Sequence, residues 1–294
     1  MTDRLVRGLF PDEDIRFAVC DAAGLCGDAA RRHRADWMAT YLLSEALTCA
    51  CLLSVQLKGE EKFTLRWIYP GPVGTILADT TAKAHVRGFP QRLRIMGEAA
   101  TVGEAIGGDG RISATTSTPG KVLQTGITEG IFRDVSRDMS HLFSMSIQVE
   151  TAMAVGLRLP PEDPPTVQAA TGVLLQPLPG ADLERFEQFR AATEDPAFRD
   201  WLEASPRDIE TVIETIAPAG GRVEILEEIE PRFQCACSKG KVESVLRMFE
   251  PEELKDMIEK EGGADVNCHF CATSYSFNRA EIQTLIGQSR SGHA

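Results

Sequence analysis

The chain has 294 residues, 43% of them hydrophobic and 25% charged, which is ordinary globular composition for two domains or one large domain with an appendage. The formal net charge is −12 and no part of the chain is basic, which argues against the positive surface that nucleic-acid binding requires. The longest uninterrupted apolar run, Ala46 to Leu53 with Thr48 inside it, falls short of the roughly 20 residues of a membrane span.

The charge is unevenly spread. Residues 1–180 carry 20 acidic and 18 basic side chains, residues 181–230 carry 14 and 5, and residues 232–294 carry 9 and 8. Nearly all the imbalance therefore lies in one 50-residue segment. Asp3, Arg4, Arg7, Asp12, Glu13 and Asp14 stand where a signal peptide would be apolar, so a cytoplasmic location is expected. In that compartment eight cysteines read as metal ligands, redox sensors or buried small hydrophobes rather than as structural disulfides.

The first 180 residues read as α+β. Strand-like runs occur at 15–20, 63–69, 75–79, 111–116 and 121–124, separated by turn signals such as Pro70-Gly71-Pro72. Residues 147–159 and 166–178 resemble two strands joined by a proline-rich loop. One long helix is expected from about Arg34 to Gln56, with Met38, Leu42, Ala46, Cys49 and Leu53 on its apolar side. With only 6% aromatic residues, the core must be mostly aliphatic and alanine.

Residues 181–192 form a plausible amphipathic helix carrying Leu183, Phe186 and Phe189. Ser205-Pro206-Arg207-Asp208 then reads as an N-cap, a first-turn proline and a first-turn acid. The helix so opened places Ile209, Val212, Ile213 and Ile216 on a narrow stripe opposite a strongly acidic face. Such a helix depends on docking, though a solvated connector would have the same pattern. The last 63 residues offer short helices at 238–249, from Pro251 to Gly262, and at 278–286, with a hairpin turn at Cys268–Cys271. That is too little core to be stable without a staple.

The staple is Cys235-Ala-Cys237, a 30-residue spacer, and Cys268-His-Phe-Cys271. Two close cysteine pairs on a small unit suit the four tetrahedral thiolates of a zinc site. Four unconnected buried thiols are the competing explanation, and pairwise clustering argues against it. Metal-bound thiolates are already deprotonated and so remain open to oxidation, and two vicinal disulfides would leave zinc without ligands. His269 is expected to point away from the metal. Cys49 and Cys51 lie on an apolar helix and read as packing, and Cys20 and Cys26 bracket a turn and receive no role. The five histidines, His33, His85, His141, His269 and His293, suggest no triad, and no phosphate loop, Gly-x-Ser-x-Gly or His-Glu-x-x-His motif occurs. An enzyme is not expected.

These residues resemble the heat shock protein 33 family of redox-regulated holdase chaperones. The likeness rests on the two cysteine motifs with their spacing, on Tyr275-Ser-Phe277-Asn278, and on Gly240-Lys-Val-Glu243-Ser-Val-Leu-Arg247. Upstream it extends to Gly59-Glu-Glu-Lys-Phe-Thr-Leu65, Gly71-Pro-Val-Gly74 and Gly172-Val-Leu-Leu-Gln176-Pro-Leu-Pro-Gly180. Ser146-Ile147-Gln148 departs from it, because the family often has Glu where Ile147 stands.

The resemblance implies an N-terminal mixed α/β client-binding domain at 1–180, a helical acidic linker at 181–231 and a zinc-binding redox domain at 232–294. It implies one zinc on Cys235, Cys237, Cys268 and Cys271, disulfides Cys268–Cys271 and then Cys235–Cys237 on oxidation, zinc loss, dimerisation, and ATP-independent holding of unfolded clients. No nucleic-acid or membrane partner is expected. The rival readings are a constitutive zinc-ribbon module for a nucleic acid or a partner protein, and a thiol–disulfide oxidoreductase. The second would need a thioredoxin-like βαβ context, which is absent.

Overall fold

A computed structural model of the protein describes residues 3–204 and 206–289, and it divides into two compact units, Met1–Gln234 and Cys235–Ala294. In the first unit, β1 (Arg4–Phe10) and β2 (Ile15–Asp21) precede α1 (Ala23–His33) and α2 (Trp37–Leu53), which a short 3-10 turn extends to Gln56. There follow β3 (Lys62–Ile68), β4 (Thr75–Thr81), β5 (His85–Pro90), α3 (Val102–Ile106), β6 (Gly110–Thr118), β7 (Lys121–Gly130) and α4 (Val135–Leu142). The unit is completed by β8 (Ala152–Arg158), β9 (Ala169–Pro177), α5 (Leu183–Thr193), α6 (Pro196–Ala204), α7 (Ile209–Ile216), β10 (Glu224–Ile229) and β11 (Arg232–Phe233).

Two sheets result. One has the order β10-β1-β2-β9-β8, and the other β11-β5-β4-β3-β6-β7. All neighbours are antiparallel except β11 and β5. Helix α2 packs against strands of both sheets and is buried at every position except Trp37 and Tyr41. The expected single apolar side is therefore incomplete: helical period cannot reveal a helix enclosed on all faces. Trp37–Gln56 is in fact long and apolar enough to cross a bilayer, but all of it except Trp37, Tyr41, Val55 and Gln56 is buried inside the unit. It is a core helix.

The start of α2 also differs from expectation. Arg34 is the left-handed residue that ends α1 (φ 51°), and α2 begins after Asp36, whose carboxylate accepts from Ala39 N at 2.9 Å and Met96 N at 2.8 Å. Helix α1 itself, rich in Ala and Gly, has no strong apolar period and escapes the sequence reading. Cys20, Cys26, Cys49 and Cys51 are all buried, as packing residues of this core.

A second core lies on the other face of the first sheet. Val6, Phe10, Ile15, Phe17, Val19, Val173 and Leu175 from the strands meet Phe186, Phe189, Leu202, Ile209, Val212, Ile213 and Ile216 from α5, α6 and α7. The acidic segment is thus docked through apolar side chains, as its narrow stripes require. The third helix starts later than expected: Asp208 is its N-cap, accepting from Thr211 N at 2.8 Å, and Pro206 precedes it. Ser205 lies outside the described residues, as does His293.

The segment's five arginines are all engaged, four of them with the body of the domain. Arg185 pairs with Glu13 (2.9 Å), Arg190 with Glu150 and Arg222 with Asp12 (2.9 Å), while Arg207 donates to Trp201 O at 3.0 Å within the segment. Arg199 is the most deeply placed. From α6 it reaches Asp134 and Glu45 (3.1 Å), with Glu203 at 3.2 Å and the Tyr41 hydroxyl at 3.2 Å. Glu45 is 1% exposed, on the core helix, and also accepts from Ser136 Oγ at 2.9 Å. Burial, reinforced by Asp134, pushes its carboxyl up to about 7 although Arg199 opposes the shift.

Ile147 closes a π-turn after α4 (Phe143–Ile147) and packs partly against the main core, beside Gly126 of β7. An aliphatic residue suits that position.

Candidate metal centre

The second unit contains α8 (Lys239–Leu246), α9 (Pro251–Glu261), the hairpin β12 (Gly263–Asn267) and β13 (Ser274–Asn278), and α10 (Arg279–Ser289). Its core is small: Leu246, Leu254, Ile258, Phe277, Ile282 and Leu285 form the buried apolar cluster. Helix α9 starts with Pro251 in its first turn, after Glu250 N has donated to the Glu253 carboxylate at 2.9 Å, and stops at Gly262 in the left-handed region (φ 74°).

Each cysteine pair is presented by local backbone. Cys235 and Cys237 lie two residues apart on the irregular stretch between β11 and α8. Ser238 then caps α8 by accepting from Lys241 N. Cys268 and Cys271 sit in the tight turn between β12 and β13. There Cys268 N donates to Thr273 O at 2.9 Å, Ala272 N donates to Cys268 O at 2.8 Å, and Ala272 takes the left-handed conformation that reverses the chain.

The four sulfurs lie within 4.8 Å of one another. Cys235 Sγ is 3.8 Å from Cys268 Sγ, and Cys237 Sγ is 3.3 Å from Cys271 Sγ. A tetrahedral ion with Zn–S bonds of about 2.3 Å places its sulfurs about 3.8 Å apart. The donor set therefore fits a thiophilic metal ion.

As free thiols Cys268 and Cys271 shift in opposite directions. Burial, with neighbouring thiols, raises Cys268 to about 12. At Cys271 burial is outweighed by hydrogen bonding with Thr273 and by the adjacent thiols, which bring it down to about 7. Two hydroxyls that the sequence reading passes over touch the cluster: Tyr275 donates to Cys237 Sγ at 3.1 Å, and Thr273 Oγ1 lies 3.2 Å from Cys271 Sγ. Tyr275 is legible in the sequence as part of the motif that carries the resemblance, not as a partner of the sulfurs; its position on β13, two residues after Thr273, turns both toward the sulfurs. His269 is exposed and stands outside the four-sulfur group. No second group of metal-binding side chains occurs among the described residues.

Comparison with known proteins gives the family. The profile of the family described as Hsp33 protein matches residues 3–278. The chain belongs to the Hsp33 family. It is 30% identical over 293 residues to the 33 kDa chaperonin of Geobacillus kaustophilus, covering 97% of this chain and 98% of that one. A 33 kDa chaperonin of Thermus thermophilus is 32% identical over 304 residues, covering 98% of this chain and 87% of its own. The crystal structure of the Hsp33 homologue from Thermotoga maritima shares the fold, with a TM-score of 0.86 at 24% identity over 99% of each chain. Membership of this family accounts for the mixed α and β architecture, and the relatives are named chaperonins.

Proposed function

We propose that the protein is a redox-controlled, ATP-independent holdase. The reading rests on one observation above all: four thiols gathered within 4.8 Å in a unit whose core amounts to six buried side chains. A zinc ion on Cys235, Cys237, Cys268 and Cys271 would supply most of that unit's stability, since structural zinc contributes about 10–16 kcal/mol to folding. The four cysteines thus serve as one staple, and residues 232–294 as a redox domain.

Oxidation removes the staple. Two equivalents of a peroxide take four electrons from the four thiolates. Two disulfides form, Cys268–Cys271 and Cys235–Cys237 by likeness to the family, the peroxide is reduced to water and zinc is released. Residues 181–231 then lose their hold on the first sheet, and the apolar face formed by Val6, Phe10, Phe17, Val173 and Leu175 is uncovered. Such a face captures unfolding chains without nucleotide hydrolysis. The client-binding domain is residues 1–180, the oxidised form is a homodimer, and the chaperone acts in the cytoplasm as a non-catalytic protein, in keeping with relatives named chaperonins.

A holdase assay tests this. The reduced, zinc-loaded protein should leave a denatured client to aggregate, and peroxide should bring zinc release and client protection together. Zinc that resists peroxide, or protection independent of oxidation, would return the second unit to a constitutive zinc module.

A further inference from the structure

The acidic segment does more than cover an apolar face. Its last element, β10, adds a strand to the free side of β1, pairing Leu5 with Ile229, Val6 with Glu228, Arg7 with Glu227, Gly8 with Ile225 and Leu9 with Glu224. The pairing is almost purely main chain. Every β10 side chain from Glu224 to Glu228 is exposed, including Ile225 at 51% and Leu226 at 52%, and only Ile229 tucks partly inward. By contrast Leu5, Val6 and Phe10 of β1 are buried in the two cores on either side of the sheet. The slot beside β1 is therefore built by the body of the domain, and what fills it contributes backbone and little else.

Two details shape the slot. Gly8 lets the neighbouring strand approach closely: a Cβ there would lie 2.3 Å from Glu224 O and 2.5 Å from the Phe17 ring. Arg4 and Arg7 flank it, and β10 answers them with carboxylates, Glu228 at 2.7 Å from Arg4 and Glu227 at 2.8 Å from Arg7.

Resting on the functional reading above, we infer that β10 is an internal stand-in for the client, and that the vacated edge of β1 takes an extended segment of an unfolded polypeptide as an added antiparallel strand. Main-chain pairing is indifferent to sequence, which suits a protein that must hold many clients. Arg4 and Arg7 add a preference for segments without positive charge opposite them. The free edge of β7 cannot supply the control. Strand β7, with Val122, Leu123 and Ile127 exposed, pairs only with β6 while the acidic segment is docked, so its accessibility does not depend on that segment's release.

In an antiparallel pair alternate residues bond to each neighbour, so alternate amides of residues 4–10 report on the β10 side alone. The test is residue-resolved hydrogen exchange on the full-length protein in three states: reduced and zinc-loaded, oxidised, and oxidised with reduced carboxymethylated α-lactalbumin, which stays unfolded in solution. Those amides should be protected in the first state, exchange faster by at least about tenfold in the second, and regain protection in the third, with β7 unchanged between the last two. Client held in a stable complex while residues 4–10 exchange as fast as in the free oxidised protein would overturn the edge assignment and leave the holdase reading standing. Oxidised protein that holds no client would overturn both.

Discussion

Replacing Arg199 by Met should loosen the acidic segment without touching the zinc unit. Arg199 is 25% exposed at its side chain and lies against Glu45 at 1% and Asp134 at 18%. Its loss leaves two carboxylates facing each other in a poorly hydrated seam, and breaking such a buried pair from one side costs about 3–5 kcal/mol. Arg222→Met is the control, because the Arg222–Asp12 pair is 74% and 46% exposed and belongs to the solvent-screened class that contributes little. The α6 amides of reduced, zinc-loaded Arg199→Met protein should therefore exchange roughly a hundredfold to several thousandfold faster, at about 1.4 kcal/mol per tenfold. Zinc content should stay at the wild-type level. Pairing the change with Glu45→Gln should recover part of the loss, since the uncompensated charge is then gone. Equal effects of Arg199→Met and Arg222→Met would refute the reasoning. So would exchange that rises alike in α6 and in β3 and β6, which would mean the segment has no docking equilibrium of its own.

The other expectations are briefer. Phe186→Ala, at a fully buried anchor of α5, should cost about 3–5 kcal/mol and make residues 183–193 protease-sensitive in the reduced state; unchanged cleavage would remove Phe186 as an anchor. Cys268→Ser should sharply lower zinc retention by metal analysis, and full retention would take Cys268 out of the site. A chain ending at Gly180 should suppress client aggregation without oxidant, and a folded truncation that never protects a client would refute repression by the segment. Glu45 titrates near 7 in the fold against about 4.5 when free, so between those values the native state holds the extra proton and stability falls as pH rises. Urea unfolding should lose up to about 3 kcal/mol from pH 4.5 to 7 through this group, and Glu45→Gln should flatten that slope.

The parts of this molecule that follow a short-range rule are readable from its residues. Alternation marks β3, Gly262 stops α9, and two close cysteine pairs announce one cluster. What stays hidden depends on partners distant in the chain. Glu224–Ile229 reads as a solvated acidic run and becomes a strand only because β1 lies beside it. Helix α2 shows one apolar side to a period count but is enclosed by two sheets. Ser205 resembles a cap as much as Asp208 does, and the helix starts where its stripe meets the sheet. The hydroxyls of Tyr275 and Thr273 reach the sulfurs through the geometry of the β12–β13 turn, which spacing alone does not encode.

The engagement of the five arginines has a further consequence for solubility. Docked, the segment spends its cations on pairs with the domain and within itself, and shows carboxylates to water. Undocked, its 50 residues remain joined to the chain and carry a net −9 of the total −12 into a long, self-repelling tether. A chaperone that bares an apolar face and fills it with another protein's unfolded chain is prone to precipitate with its cargo. Under the proposed function, the act that uncovers the face would also extend a charged fringe beside it, and that fringe would keep loaded complexes apart in solution.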